Sequence, residues 1–285
     1  MKVSPYDYYS HDEIKKIRSF TEDEINRMSY VKFISLIKEV NKPPGGLSYL
    51  LRLIRMMGIS ERSSVLDVGC NTGYVSFEVS HFTKCKVVGI DIDKDMIRTA
   101  NKIKKFDSFK KRIVFKVADA KNLPFASNTF DFIIVGGSLA FIDDKLMALK
   151  EFLRVLKPWG LIGDLEFFYK RNPPKILLRK LKETLEIRIE PWNYNFWLKL
   201  YENAGFEIVY YEIMNLKMSK TYREIENYCR KIIERVPFKN GVKRVAFKKL
   251  LNYMTLFNEN NKLLDGIMII ARKREYPEQI FLFSK

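Results

Sequence analysis

Metal-binding and redox-active side chains are scarce in this chain. It has two histidines, His11 and His81, and three cysteines, Cys70, Cys85 and Cys229, with no CxxC pair. So few ligands, so widely spaced, leave no basis for a metal cluster, and no metal is expected. A sparse, odd set of thiols fits reduced cysteines in a cytoplasm better than a disulfide framework. Long apolar runs are missing too. The longest apolar stretch, IIVGGSLAFI at 133–142, is too short to span a bilayer. The opening MKVSPYDYYSHDE has no apolar core of a secretory signal. The expectation is a cytoplasmic protein without a transmembrane segment. Glutamine occurs once, at Gln279, a bias that carries no functional information.

What is present points to a folded domain. Of the 285 residues 47% are hydrophobic and 14% aromatic, enough for a sizeable core. The formal net charge is +17, and residues 165–285 hold 24 Lys and Arg against 14 Asp and Glu. Such a balance suits an anionic partner, or simply a well-solvated lysine-rich surface.

The periodicity changes twice along the chain. Residues 11–40 read as one or two amphipathic helices, and NKPPGG (41–46) breaks them. GLSYLLRLIRMMGI then reads as a helix closing near Gly58. From Ser64 onward short apolar strands alternate with helical stretches: 64–69, 86–91, 112–119, 131–137 and 160–168 as strands. That alternation predicts an α/β fold, a doubly wound, mostly parallel sheet with helices on both faces. Beyond residue 169 come a basic helical stretch, a helix ending at Gly205, and late strands at 206–214 and 265–273. About 50 residues of basic helical sequence separate those two strands, and they are expected to cap one edge of the sheet.

The stretch SVLDVGCNTGYVSFEVS (64–80) has glycines after a strand, as a nucleotide loop should. It lacks the Lys and Ser or Thr of a P-loop, and its GxxxG spacing is not the GxGxxG of a dinucleotide loop. Asn71 stands where a middle glycine is usual, and Asn tolerates the left-handed turn better than most residues. Asp67 lies in the strand, poorly placed beside a pyrophosphate and well placed beside a cation. Asp91 ends the second strand, 20 residues beyond Asn71, where an acid accepts from ribose hydroxyls. Asp119 ends the third, where an acid can accept from an adenine amino group. A cationic nucleoside without phosphate, S-adenosylmethionine, meets all three demands. Each acid also has a plainer reading: Asp67 as a cap, Asp91 as a helix N-cap near Asp93, Asp119 as a loop residue. Cys70 reads as small packing rather than a nucleophile.

In order and spacing, VLDVGCNTG, VVGIDID, VADAKNLPF, FDFIIVGGSLAFIDD and LKEFLRVLKPWG resemble a class I S-adenosylmethionine-dependent methyltransferase over roughly residues 62–170. AGFEIVYYE and GIMIIARK resemble the closing strands of that family. The resemblance implies a seven-stranded Rossmann-like sheet whose last strand is antiparallel. It implies that Asp67, Gly69 and Gly73 serve the methionine end, Asp91 the ribose, and Asp119 with Ala120 the adenine. Cys70, Asn71, Tyr74, Ile92 and Gly136 complete the implied cofactor set. The chain is then one methyltransferase domain over 1–285. A helical lid occupies 1–45, the cofactor core 46–170, and an acceptor part 171–285 with a helical insertion at about 216–263 and the last two strands.

The acceptor is approached by exclusion. No Asn- or Asp-Pro-Pro-aromatic signature ends the fourth strand, where VGGSLAF stands, and the NPP at 172–174 follows the fifth. No cysteine lies on the loops after strands four and five, so a carbon-methylating pyrimidine enzyme is not indicated. Asp143 and Asp144 are adjacent and read as caps of the next helix rather than a metal site. The NLPFASNTFDFIIV run resembles the branch acting on quinones, sterols and other small metabolites. Aromatics gather where that branch keeps its lid and pocket: Tyr6, Tyr8, Tyr9, Phe168, Trp192, Tyr194, Phe196 and Trp197. The acceptor-pocket expectation is Tyr9, His11, Ser138, Phe168, Trp192 and Phe196, with no catalytic base identified. The same aromatics would also simply seal a core. Two other functions stay open: an RNA methyltransferase using the basic C-terminal helices, and a non-catalytic cofactor-binding subunit. Nothing in the sequence sets an oligomeric state.

Overall fold

The computed structural model describes residues 9–38, 42–185 and 189–275. Tyr6 and Tyr8 lie outside the described residues. At the start of the described chain, Ser10 with Glu13 and Thr21 with Glu24 form two reciprocal capping boxes. The first starts α1 (His11–Ser19) and the second separates it from α2 (Glu22–Arg27); a further break at Met28 and Ser29, without a side-chain cap, precedes α3 (Tyr30–Leu36), so there are three short helices where the periodicity suggested one or two. α4 (Gly46–Met57) starts after Gly45 and stops at the left-handed Gly58.

From there strand and helix alternate: β1 (Ser64–Val68), α5 (Tyr74–Thr83), β2 (Lys86–Asp91), α6 (Lys94–Lys104), β3 (Ile113–Val117) and β4 (Phe130–Val135). A single 3-10 turn, Leu139–Phe141, leads to α7 (Lys145–Val155) and β5 (Leu156–Tyr169). Then come α8 (Lys175–Leu185), α9 (Tyr194–Asn203), β6 (Glu207–Ile213), α10 (Tyr222–Glu234), α11 (Asn240–Asn261) and β7 (Leu264–Arg272). The sheet order is β3-β2-β1-β4-β5-β7-β6. β1 to β5 pair in parallel, and β7 runs antiparallel to both β5 and β6. The chain reverses direction across the sheet between β1 and β4, which opens a crevice at their carboxyl ends. Among the described residues no helix is long and apolar enough to cross a membrane.

The three largest of five apolar clusters among the described residues hold the layers together. On one sheet face Leu66, Val68, Ile133 and Ile162 pack with Leu149 and Phe152 of α7 and Trp197 and Tyr201 of α9. On the other, Val65, Ile134, Leu165 and Met268 pack with Leu50, Leu53 and Ile54 of α4 and Val79 of α5. The third core contains no strand. Ile17, Ile25 and Phe33 of the N-terminal helices meet Ile225, Cys229 and Ile233 of α10 and Val242, Ala246 and Leu250 of α11. The N-terminal segment and the late insertion, read from sequence as separate lids, thus share one helical layer. The amphipathic stripe of α10 is satisfied by this partner rather than by the sheet edge.

Candidate functional site

The loop after β1 turns through three left-handed positions, Gly69 (φ 69°), Asn71 (φ 50°) and Gly73 (φ 97°). Asn71 therefore performs the turn expected of a middle glycine. Its side-chain Oδ1 accepts from the Thr72 amide at 2.7 Å, the local hydrogen bond that makes this conformation tolerable for Asn. Gly69 meets a tighter demand. A Cβ there would lie 2.3 Å from the Ser138 Cβ, so only glycine lets the loops after β1 and β4 approach this closely. Ser138 seals the approach by donating its hydroxyl to the Val68 carbonyl at 2.7 Å.

The three acids sit differently. Asp67 is 1% exposed, and the Ser76 hydroxyl donates to its Oδ2 at 2.6 Å. Burial pushes its carboxyl up to about 7, opposed by the Ser76 hydrogen bonds and assisted by the negative charge of Asp91. Its carboxylate thus ties β1 to the first turn of α5 from behind the loop. Asp91 lies in the loop's mouth, its Oδ2 accepting from the Asn71 amide and its Oδ1 from the Asp93 amide, both at 2.9 Å. Burial raises its pKa against those two N–H groups. The N-cap of α6 is Asp93, which accepts from Asp95 and Met96, so Asp91 keeps its outward lone pairs. Ile92 beside it is 69% exposed, an apolar surface left open next to Asp91. Asp119 folds its own loop by accepting from the Lys121 amide at 2.9 Å, with Ala120 half-buried alongside. Lys121 bridges to Asp143 at 2.8 Å, joining the loops after β3 and β4, while Asp144 caps α7.

Cys70 is buried among Phe77, Ile97 and Phe115. Burial, then the charges of Asp67 and Asp91, push its thiol well above the ordinary range, so it is a protonated packing group. Tyr74 opens α5 with Lys42 over its ring at 5.8 Å. Pro43 and Pro44, from the break in the sequence, pack onto Gly136 and Gly137 at the end of β4. The donor set suits S-adenosyl-L-methionine. Residues 64–80 contain no Lys or Arg to hold phosphate, while Asp91, Asp119 and a glycine-turned backbone suit a ligand rich in hydroxyl and amino groups.

The acceptor-side candidates separate into two places. Trp192 stacks on Phe196 at 5.1 Å and 17°, Trp197 stands edge-on to both, and Tyr194 meets Phe168 edge-on at 5.7 Å. Ser138 is at the β1/β4 crevice, as described. Tyr9 instead packs in the core of the helical layer, its hydroxyl donating to the Leu36 carbonyl at 3.3 Å and Lys38 over its ring. His11 is the exposed first residue of α1.

Three groups were missed from sequence. Asp164 and Glu166 of β5 are fully buried on the α7 and α9 side, and Lys145, at the start of α7, is almost buried with its ammonium 4.1 Å from the Trp192 ring. The available signal was the pair of alternating acids inside the apolar strand GLIGDLEFF, an anomaly for a strand buried on both faces.

A methyltransferase domain model matches residues 66–163. The chain is 35% identical over 124 residues to the demethylmenaquinone methyltransferase of Lactococcus lactis, covering 43% of this chain and 49% of that protein. It is 29% identical over 167 residues to a sterol 24-C-methyltransferase of Aspergillus fumigatus, covering 56% and 44%. The chain thus spans about half the length of these two relatives. The crystal structure of a protein titled MccD is 27% identical, with a TM-score of 0.71 over 82% of this chain and all of that one. Sheet order, loop and matches agree: the chain carries a methyltransferase domain of the class I S-adenosylmethionine-dependent kind, and S-adenosyl-L-methionine is its expected cofactor.

Proposed function

We propose that the protein transfers the methyl group of its cofactor, by in-line displacement, to a small organic metabolite held under the helical layer. The acceptor would lie at the carboxyl ends of β4 and β5. The observation that carries this reading is the aromatic wall of Trp192, Phe196 and Tyr194 on Phe168, beside the turn after β4. Relatives named for demethylmenaquinone and sterol acceptors point the same way.

The bound cofactor supplies a methyl group on a good leaving group, so the residues need chiefly to position and desolvate. Asp91 would orient the ribose, Asp119 and Ala120 the adenine, and the 69–73 loop the methionine end. Phe141, 61% exposed on the turn after β4, offers apolar surface to an acceptor. The basic helices fit a solvated face better than a phosphate track. Arg179, Arg230 and Lys262 each pair with a glutamate three or four residues away on their own helices.

The test is transfer of labelled methyl from S-adenosyl-L-methionine to the RNA, protein and organic-soluble fractions of a lysate. Label in the organic fraction is expected. Label in RNA overturns the small-molecule reading. No label in any fraction, with tight S-adenosylhomocysteine binding, makes the protein a cofactor-binding subunit.

A further inference from the structure

The buried acids of β5 have no part in cofactor contact, yet their placement is specific. Asp164 and Glu166 are two residues apart on one strand, so both point to the same face, with Cα atoms about 6.6 Å apart. The charge of Asp164 acts on Glu166, so the two carboxyl groups are near neighbours. Opposite them in the sheet stand only apolar residues, Val135 on β4 and Ile269 and Ile267 on β7.

One oxygen of each acid is satisfied. Asp164 Oδ2 accepts from the Tyr201 hydroxyl at 2.8 Å, and Glu166 Oε1 accepts from the Leu139 amide at 2.9 Å. The Ala140 amide also donates to Glu166. The remaining oxygens, Asp164 Oδ1 and Glu166 Oε2, are buried without a hydrogen-bond partner among the described residues. Two bare anionic oxygens side by side in an apolar core are strongly disfavoured.

We propose that Asp164 and Glu166 hold one proton between them, and that this shared proton keeps the Leu139–Phe141 turn, and with it Ser138, seated against the cofactor loop. The proton sits on Glu166 Oε2 and is donated to Asp164 Oδ1, so one hydrogen bond satisfies both orphaned oxygens. Asp164 is the ionised member, because the Tyr201 hydroxyl donates to it. Glu166 is the neutral member, its carbonyl-like Oε1 receiving the turn's amides. Burial pushes both acids upward, and the charge of Asp164 pushes Glu166 further. The other charged group nearby is Lys145 of α7, whose ammonium donates to the Ile142 carbonyl at 2.6 Å, with Glu166 first, then Asp143 and Glu190, acting on it.

From Glu166 the contacts run to the Leu139 amide, then through Ser138 to Val68 and Gly69. Glu166 is therefore a positioning residue for the wall between cofactor and acceptor. The proposal rests on the cofactor assignment and not on the acceptor, so a failed label-transfer assay leaves it standing and its own failure leaves the assay's result intact.

The test uses the full chain and Glu166→Gln, whose amide reproduces the neutral acid's acceptor and donor. The carbonyl stretch of a protonated carboxylic acid is expected in the infrared spectrum of the wild-type protein at about pH 8, where ordinary carboxyls are ionised. It is expected to be lost in Glu166→Gln. Affinity for S-adenosylhomocysteine is expected to match wild type at neutral pH. Above the dyad's titration the wild type is expected to weaken, by up to about tenfold per pH unit, the limit for one linked proton, while the variant stays flat. If that variant does not fold, Asp164→Asn replaces it: the proton sits on Glu166, so there the band is expected to persist at a shifted frequency once its Asp164 acceptor is gone. Absence of the band in wild type, its survival in Glu166→Gln, an unshifted band in Asp164→Asn, or parallel pH profiles of wild type and Glu166→Gln overturns the proposal.

Discussion

Asp91 and Asp67 look equivalent in sequence and do different work. Asp91 holds the Asn71 amide at the mouth of the loop and is proposed to orient the ribose, so Asp91→Ala should lower S-adenosylhomocysteine affinity by about 1–3 kcal/mol in calorimetry, the scale of a lost hydrogen bond to a charged group. Asp67 faces Ser76, and its effect belongs to stability. Its folded pKa, about 7, lies above the ordinary aspartate value. The folded state therefore holds this proton longer than the unfolded chain does. Stability from this group is fully present below the ordinary value and is lost as pH rises through about 7. Thermal unfolding of Asp67→Asn against wild type should show that the wild-type decline over this window is reduced. Asn71 tests the loop itself. Asn71→Gly should leave cofactor affinity unchanged, while Asn71→Val should destabilise by about 1–2 kcal/mol in urea unfolding. The loop's handedness was legible because residue type limits φ. The side of the strand on which Asp67 would find its partner was not, because a serine nine residues later carries no signal of contact.

At the scale of elements, the strands were legible and the helix breaks were not. Runs such as FIIV read as strands because a sheet covered on both faces asks for continuous apolar sequence. The stretch 11–40 read as longer helix because its apolar stripe continues across the breaks. The break between α1 and α2 was nevertheless written there, as the capping box Thr21…Glu24, whereas Ser29 at the start of α3 makes no side-chain cap. The same motif, Thr221…Glu224, starts α10. Thr221→Ala should reduce stability by about 0.5–2 kcal/mol, measured by urea denaturation, because the Glu224 amide loses its acceptor. Asp164 and Glu166 escaped notice for the opposite reason. Two charges within an apolar strand look like tolerated exceptions until both side chains are seen to face the α7 and α9 side.

For the whole molecule, the seven-stranded sheet with its last strand antiparallel followed from the family resemblance, whereas the partnership of N-terminal helices and insertion did not. An amphipathic stripe states how much surface must be covered and not which segment covers it. Phe33, fully buried between these segments, is the residue on which that layer turns. Phe33→Ala should remove about 3–5 kcal/mol. Hydrogen exchange should quicken in α1–α3, α10 and α11 before it does in β1 and β4. This layer also has a history during synthesis. Its first half leaves the ribosome before any of the strands, and its second half follows six of the seven. Throughout that interval Ile17, Ile25 and Phe33 lack their native partners on α10 and α11, so α1–α3 are a natural substrate for chaperones until those helices emerge.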